Sequence, residues 1–434
     1  MRRTPRALVV AYYFPPIGGG GVNRTVKVVR GLAAAGWRVL VLTADRAAWV
    51  RDESQLREIP ESVRVVRLPN PDWGRVAARR DGRIGRPGVG AGRLRGWLIP
   101  DLQVGWSALA AAATLPIAAS RAVDAVYTTC PPYSAHAAGR LGRALGVPWV
   151  ADFRDAWTLY PSRGDFPPLR QAFERRLEEA VLKRADHVLF ASPGVRDRYV
   201  ARIPGLAVRS TTVMTGFDPR DFAAARGIEP PRGRFRIVHA GSALLDDRGA
   251  TVDAFLAALR IWLERDPAVA RTVEVRFVGA EAGLADRIAA HGLSRFVAAQ
   301  GRVPRARLAS VLRTAHLCAY LAPAGAGGAD PIPGKLFDAV GAERPLFAIA
   351  PPGPVRDLVD RLRLGFTAHP GDASDIASQL AELCSRVLRN EPLPAPEGAA
   401  RVELSCETAV ARVVHTLERV AARERMPCAF PSAS

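Results

Sequence analysis

Asp330-Pro-Ile-Pro-Gly-Lys335-Leu-Phe-Asp338-Ala-Val-Gly-Ala-Glu-Arg-Pro345-Leu-Phe-Ala-Ile-Ala350 runs from a Pro/Gly loop into a short apolar helix and on into a buried-type strand. Gly334-Lys335 opens the helix, and Arg344-Pro345 closes it. A helix N-terminus offers free backbone N–H groups and a partial positive charge, which suits a phosphate. Lys335 adds a full point charge there. It is one of three lysines, with Lys27 and Lys183, among 61 basic residues. Asp330 and Asp338, eight residues apart, flank it and can accept hydrogen bonds from hydroxyls. Together these groups suit a sugar phosphate. The same stretch also reads as an ordinary strand-loop-helix-strand connection with a surface lysine.

The apolar runs on either side repeat this rhythm. Ala7–Tyr13, Arg38–Thr43, Val63–Leu68, Ala125–Thr129, Trp149–Asp152, His187–Ala191 and Thr211–Val213 read as strands of a first half. Phe235–Ala240, Val273–Val278, Val297–Gln300, Leu317–Leu321, Leu346–Ala350 and Phe366–His369 read as strands of a second. Amphipathic segments such as Val22–Ala35, Leu169–Arg184, Thr251–Glu264 and Asp372–Leu388 lie between them. Alternating β and α predicts an α/β protein with parallel sheets covered on both faces. Gly227, Pro230, Pro231 and Gly233 mark a break. The expected division is therefore a domain over 1–225 and a second over 226–400. A helix over 401–425 packs back across them, and a disordered tail covers 426–434. Ligands favour the carboxyl ends of such strands, in a cleft between the halves.

Composition narrows the function. A chain of 434 residues with 48% apolar and 24% charged content is a folded protein of about two or three domains. The five cysteines form no CxxC pair, which argues against a disulfide framework or zinc site and for a reducing compartment. A net charge of +19 implies anionic partners. Arg75, Arg79, Arg80, Arg83, Arg86, Arg93 and Arg95 surround Trp73 and Trp97, a pattern that fits either an anionic membrane surface or a solvated loop. No nucleic-acid-binding motif accompanies the charge. Residues 102–120 carry no charge, yet they are Ala-rich and contain Pro116, so a buried soluble helix is expected and not a membrane span.

Other segments carry candidate chemistry. Gly18-Gly-Gly-Gly21 follows the first strand without the spacing of a dinucleotide fingerprint, so Gly19 and Gly20 read as a loop open to a ligand, or as a plain connector. His136, in Thr128-Thr-Cys-Pro-Pro-Tyr-Ser-Ala-His136, either polarises a ligand or is structural. Asp152-Phe-Arg-Asp155 either forms an internal ion pair or lines an acceptor pocket. Gly241-Ser242 follows the first strand of the second half. Arg248 beyond it could hold a diphosphate, unless Asp246 and Asp247 occupy its guanidinium.

In this order, the segments resemble the family 4 glycosyltransferases, retaining enzymes of the two-domain GT-B fold. The likeness rests on Tyr12-Tyr-Phe-Pro-Pro-Ile-Gly-Gly-Gly-Gly21, Thr128–His136, Pro148-Trp-Val-Ala-Asp-Phe-Arg-Asp155, Ala185-Asp-His-Val-Leu-Phe-Ala-Ser192, His239-Ala-Gly-Ser242 and Gly334-Lys-Leu-Phe-Asp338. It implies two Rossmann-like domains facing a central cleft, with the donor held by the second and the acceptor by the first. Lys335 and Arg248 would bind the donor diphosphate, with Gly19, Gly20, Gly241, Ser242, Gly334 and Leu336 completing the donor site. Asp330 and Asp338 would stand where the family carries two glutamates, Asp330 in a catalytic position. His136 would lie near the reacting sugar.

The resemblance also implies a nucleoside-diphosphate sugar as donor substrate, with neither metal nor cofactor. A glycan, lipid-linked or small-molecule acceptor would serve cell-envelope or exopolysaccharide synthesis, in the cytoplasm or on the inner membrane face. The aspartates, Ser242 where an arginine is usual, and Thr215 where an asparagine is usual depart from the pattern. A sugar-nucleotide epimerase and a catalytically silent binder are the alternatives.

Overall fold

The computed structural model describes residues 3–18, 20–45, 51–70, 98–160, 166–244, 249–323 and 332–425. The chain divides into two compact units, Met1–Met214 with Ala409–Ser434, and Thr215–Thr408.

The first unit holds seven parallel strands: β1 (Arg6–Val10), β2 (Arg38–Ala44), β3 (Arg64–Leu68), β4 (Ala125–Cys130), β5 (Trp149–Phe153), β6 (His187–Phe190) and β7 (Ser210–Thr212). Their order is β3-β2-β1-β4-β5-β6-β7, so the direction of travel reverses between β1 and β4. The helices are α1 (Gly20–Ala34), α2 (Val104–Ala119), α3 (His136–Ala144), α4 (Pro168–Arg184) and α5 (Pro193–Arg202). Strand side chains alternate between two cores. Leu8, Val10 and Leu42 pack with Trp106 and Trp149 on one face. Ala7, Val9, Val39 and Val41 pack with Val22, Val26 and Val29 of α1 on the other. Burial on both faces explains why these strands read as continuous apolar runs. The uncharged segment forms α2, burying Trp106, Ala110, Ala111 and Ala118. Among the described residues no helix is long and apolar enough to cross a membrane.

The second unit holds β8 (Phe235–Ala240), β9 (Val273–Val278), β10 (Val297–Gln300), β11 (Leu317–Leu321), β12 (Leu346–Ile349) and β13 (Gly365–Ala368). Their order, β10-β9-β8-β11-β12-β13, reverses between β8 and β11. Around them run α6 (Ala250–Arg265), α7 (Leu284–Ala290), α8 (Arg305–Arg313), α9 (Gly334–Gly341), α10 (Pro354–Arg361), α11 (Ala373–Leu388) and α12 (Gly398–Glu403). One further helix, α13 (Cys406–Arg425), ends the described chain.

The units divide at Met214/Thr215, ahead of the Gly/Pro-rich stretch that suggested a break. The reason lies in long-range pairing. Phe217 N–H donates to the Leu404 carbonyl at 3.0 Å, and Cys406 N–H donates to the Phe217 carbonyl at 2.7 Å. Gly216 has φ +68°, and a Cβ there would stand 2.6 Å from the Ser405 backbone. A residue with a side chain would fit neither the turn nor the contact. The same pairing breaks the expected helix over 401–425 in two, and Ser405 caps the second piece by accepting from the Thr408 N–H at 3.1 Å. Beyond that cap, Val413, Leu417 and Val420 of α13 join the α1 face of the first unit's core.

Candidate functional site

In the second unit Gly241, Ser242 and Lys335 meet where the strand order reverses, at the carboxyl end of β8 and the start of α9. Such a switch point leaves a crevice that neighbouring loops leave uncovered. β8 ends in His239-Ala240, and Gly241 turns the chain with φ +89°. A Cβ on Gly241 would lie 2.9 Å from the Lys335 Cε, and Gly279, leaving β9 with φ +87°, has its Cβ position 3.2 Å from the Gly241 Cα. Two glycines back to back let the loops approach, and the Lys335 stem crosses the slot they leave.

The Lys335 ammonium donates to the Ser242 carbonyl. It also lies 3.2 Å from His239 Nε2. Neither acceptor carries a charge. Burial lowers the Lys335 pKa to about 8, opposed in part by Glu281. Burial would raise the Glu281 carboxyl, but hydrogen bonds from the Ser242 hydroxyl and the N–H groups of Ala243, Glu281 and Leu244 hold it below the usual range. Glu281 Oε2 accepts from Ala243 N at 3.0 Å. The slot therefore holds a cation whose hydrogen-bond partners are both neutral, and the Glu281 carboxylate offsets its burial only in part.

Gly334 is exposed at the start of α9, and a Cβ there would meet nothing within 4 Å. Leu336 is fully buried, and its N–H already donates to the Pro333 carbonyl at 3.2 Å. Leu336, expected in the donor site, thus packs its side chain beneath the helix start that Gly334 and Lys335 form. Asp338 sits one turn on, half-buried. Gly19, Arg248 and Asp330 lie outside the described residues, as do Arg75–Arg95 with Trp73 and Trp97, and the tail after Arg425.

The first unit uses its charges differently. Asp152, fully buried on β5, binds Arg24 of α1 through both oxygens, at 2.9 and 2.7 Å. Tyr127 adds a 2.6 Å bond and Thr129 a 3.1 Å bond to the same carboxylate, while Arg24 also donates to the Val213 carbonyl at 2.7 Å. Burial opposes the Asp152 charge, but Arg24 outweighs it and keeps the carboxyl below its usual value. Arg154 donates to the carbonyls of Gly21, Cys130 at 2.8 Å and Pro131 at 2.9 Å. It ties the glycine-rich loop to the loop after β4, and a Cβ on Gly21 would lie 2.5 Å from its guanidinium. Gly20 opens α1 beside that clamp. Of the two sequence readings for Asp152, the internal ion pair describes the geometry, with Arg24 as partner.

His136, expected near the reacting sugar or in a structural role, lies in the packed interior of the first unit. Its ring is fully buried, stacked on Phe153 at 4.9 Å, with Nδ1 2.7 Å from the Thr128 hydroxyl. Burial lowers its pKa to about 3, so the ring stays neutral. This geometry fits the structural reading, while Nε2 is buried with no hydrogen-bond partner among the described residues.

Sequence reasoning gave no role to His239, Gly279 or Glu281. A histidine near the end of an otherwise buried strand is the signal that marked the first, since such a group needs a polar partner.

Residues 19–216 match the family model of the glycosyl transferase 4-like domain. No curated protein matches the chain in sequence. Among solved structures, a glycosyltransferase from Rickettsia africae ESF-5 is similar over 96% of this chain and 99% of its own, with 13% identity and a TM-score of 0.62. Anabaena Alr3699/HepE, solved in complex with UDP, covers 96% and 100%, with 16% identity and a TM-score of 0.60. A putative UDP-N-acetylglucosamine 2-epimerase from Listeria monocytogenes shares the fold at 10% identity, 97% coverage of each chain and a TM-score of 0.58. Residues 19–216 thus match a glycosyl transferase 4-like domain, and the chain has the GT-B fold of two doubly wound sheets that these solved structures share.

Proposed function

We propose that the protein transfers a sugar, with retention of anomeric configuration, from a nucleoside diphosphate to an acceptor hydroxyl, in cell-envelope or exopolysaccharide glycan synthesis. One observation carries the donor half of this reading. The Lys335 ammonium is held at the β8/β11 switch point by neutral acceptors only, beside the N-terminus of α9. A diphosphate there would supply the countercharge that Glu281 gives only in part. Lys335 and the N–H groups opening α9 would stabilise the leaving diphosphate as its charge develops, and fixed donors aimed at developing charge lower such barriers more than any other single effect. Arg248 and Asp330, which follow β8 and β11 in the sequence, would reach the diphosphate and the transferred sugar. Asp338 would accept from a sugar or ribose hydroxyl. HepE, solved with UDP and with UDP-glucose, supports a nucleotide-sugar donor. The acceptor would lie on the first unit, and a lipid-linked glycan or a small natural product both fit the basic chain.

The test is a thermal-shift screen with UDP-, GDP- and dTDP-sugars, followed by turnover of whichever donor stabilises the protein, because a ligand that binds only the native state raises its melting temperature. Transfer or slow donor hydrolysis is the expected result. Sugar inversion would indicate an epimerase, and neither activity a binding protein.

A further inference from the structure

His239 is fully buried on β8. Its Nδ1 lies 3.1 Å from the Ala319 carbonyl on neighbouring β11. A carbonyl can only accept, so Nδ1 carries the hydrogen. Burial, reinforced by Lys335, lowers the ring's pKa to about 3, which keeps it neutral. Nε2 is then a bare lone pair, and the group 3.2 Å from it is Lys335 Nζ, which can only donate. The Ser242 carbonyl, 3.3 Å from the same Nε2, finds no donor there and takes the lysine instead. One tautomer thus satisfies all three atoms.

We propose that His239 is a positioning residue for donor binding: a permanently neutral acceptor that holds the Lys335 ammonium over Gly241, ready to turn to the donor diphosphate. This rests on the reading that Lys335 meets that diphosphate. The choice of a histidine has a physical reason. A carboxylate at this place would saturate the ammonium, as Asp152 saturates Arg24, and leave little attraction for a ligand. An apolar residue would leave the Ser242 carbonyl as the ammonium's single acceptor here, which disfavours the charged form. A neutral imidazole orients the charge without cancelling it. The titratable groups that act on Lys335 are His239 from β8, 3.2 Å away, and Glu281 from the segment after β9.

Only three lysines are present, so protein carrying 13C and 15N in lysine gives three side-chain signals to titrate, with Lys335→Arg assigning one. In the wild type the Lys335 signal should titrate near 8. In His239→Phe it should titrate lower while Lys27 and Lys183 stay put, a change that loss of packing alone would not confine to one lysine. His239→Gln, which returns an acceptor atom near the place of Nε2, should restore the wild-type titration. Should His239→Phe not fold, His239→Leu removes the acceptor in a smaller volume and reads the same way. A wild-type titration in the variant lacking an acceptor overturns the proposal. The same spectra with UDP, and with GDP and dTDP in parallel, should show Lys335 titrating higher. If no nucleotide moves it in the wild type, the donor-site reading fails instead, and the two failures are told apart.

Discussion

Each unit places a cation at the carboxyl ends of a parallel sheet, Arg24 buried and Lys335 half-buried, and they treat it in opposite ways. Arg24 meets both oxygens of Asp152 and a backbone carbonyl. Its charge is cancelled, its donors are filled, and the pair joins α1 to β5. Lys335 meets a carbonyl and an imidazole. Its charge is oriented but not cancelled, and its pKa falls. A saturated cation belongs to the fold, whereas an uncompensated one at a switch point is available to an anion. Burial of charge therefore marks a site only when the partners fail to neutralise it.

The largest expected effect breaks the saturated side. Asp152→Ala would leave Arg24 buried with no counter-ion, and should cost about 3–5 kcal/mol of stability, the range for breaking one half of a buried pair. Urea unfolding followed by circular dichroism measures it. Replacing both partners, Arg24→Met with Asp152→Leu, should recover much of the loss, since no unpaired charge remains. A loss under about 1 kcal/mol in Asp152→Ala, the worth of an exposed pair, would place Arg24 in water and end the contrast.

Lys335→Met should act in the reverse sense. It removes a desolvated charge, so the fold should be no less stable, while affinity for the cognate nucleotide should fall by about 1.5–3 kcal/mol, the range for a charge-assisted hydrogen bond. The pH dependence sharpens this. The folded pKa is near 8 against an ordinary 10.5, so between those values the unfolded chain binds more protons. Stability should therefore rise with pH across that window, and the penalty of burying the ammonium is complete below about 8. Nucleotide affinity should run the other way and weaken above about 8, as the ammonium that meets the phosphate is lost. Isothermal titration at several pH values checks both the trend and its disappearance in the variant.

How much of this was legible beforehand follows from the range of the interactions. The strands stood out because each is an apolar run between turn formers, and every one of the thirteen read from the sequence has a counterpart among the described strands. Gly334 and Lys335 were legible because a helix start is a local pattern. The Arg24–Asp152 pair spans 128 positions, so no motif could announce it. Lys335 and His239 are 96 apart, and only the sheet order brings them together. The burial of His136 was not legible, because a polar residue at a helix start looks the same in sequence whether it faces a cleft or stacks on Phe153. The return of residues 404–406 to Phe217 was equally hidden, since it depends on a backbone pairing that side-chain pattern does not record.

The smallest effect probes the slot itself. Gly241→Ala places a methyl group where φ is +89° and where the Lys335 stem passes at 2.9 Å. The left-handed backbone alone should cost about 1–2 kcal/mol. The methyl must also push the lysine stem outward, because the opposite wall, Gly279, is backbone and cannot yield. A displaced ammonium regains water, so Lys335 should titrate closer to 10.5 than to 8, and nucleotide affinity should fall without any change in charge. Gly36 is the control: its φ of +81° is similar, and a Cβ there would meet nothing within 4 Å. Gly36→Ala should carry the backbone cost and leave both the lysine titration and the nucleotide untouched. If the two variants lose the same stability and Lys335 titrates as in the wild type in both, then the lysine does not lie across Gly241, and the second unit would hold no oriented, uncompensated cation to set against Arg24.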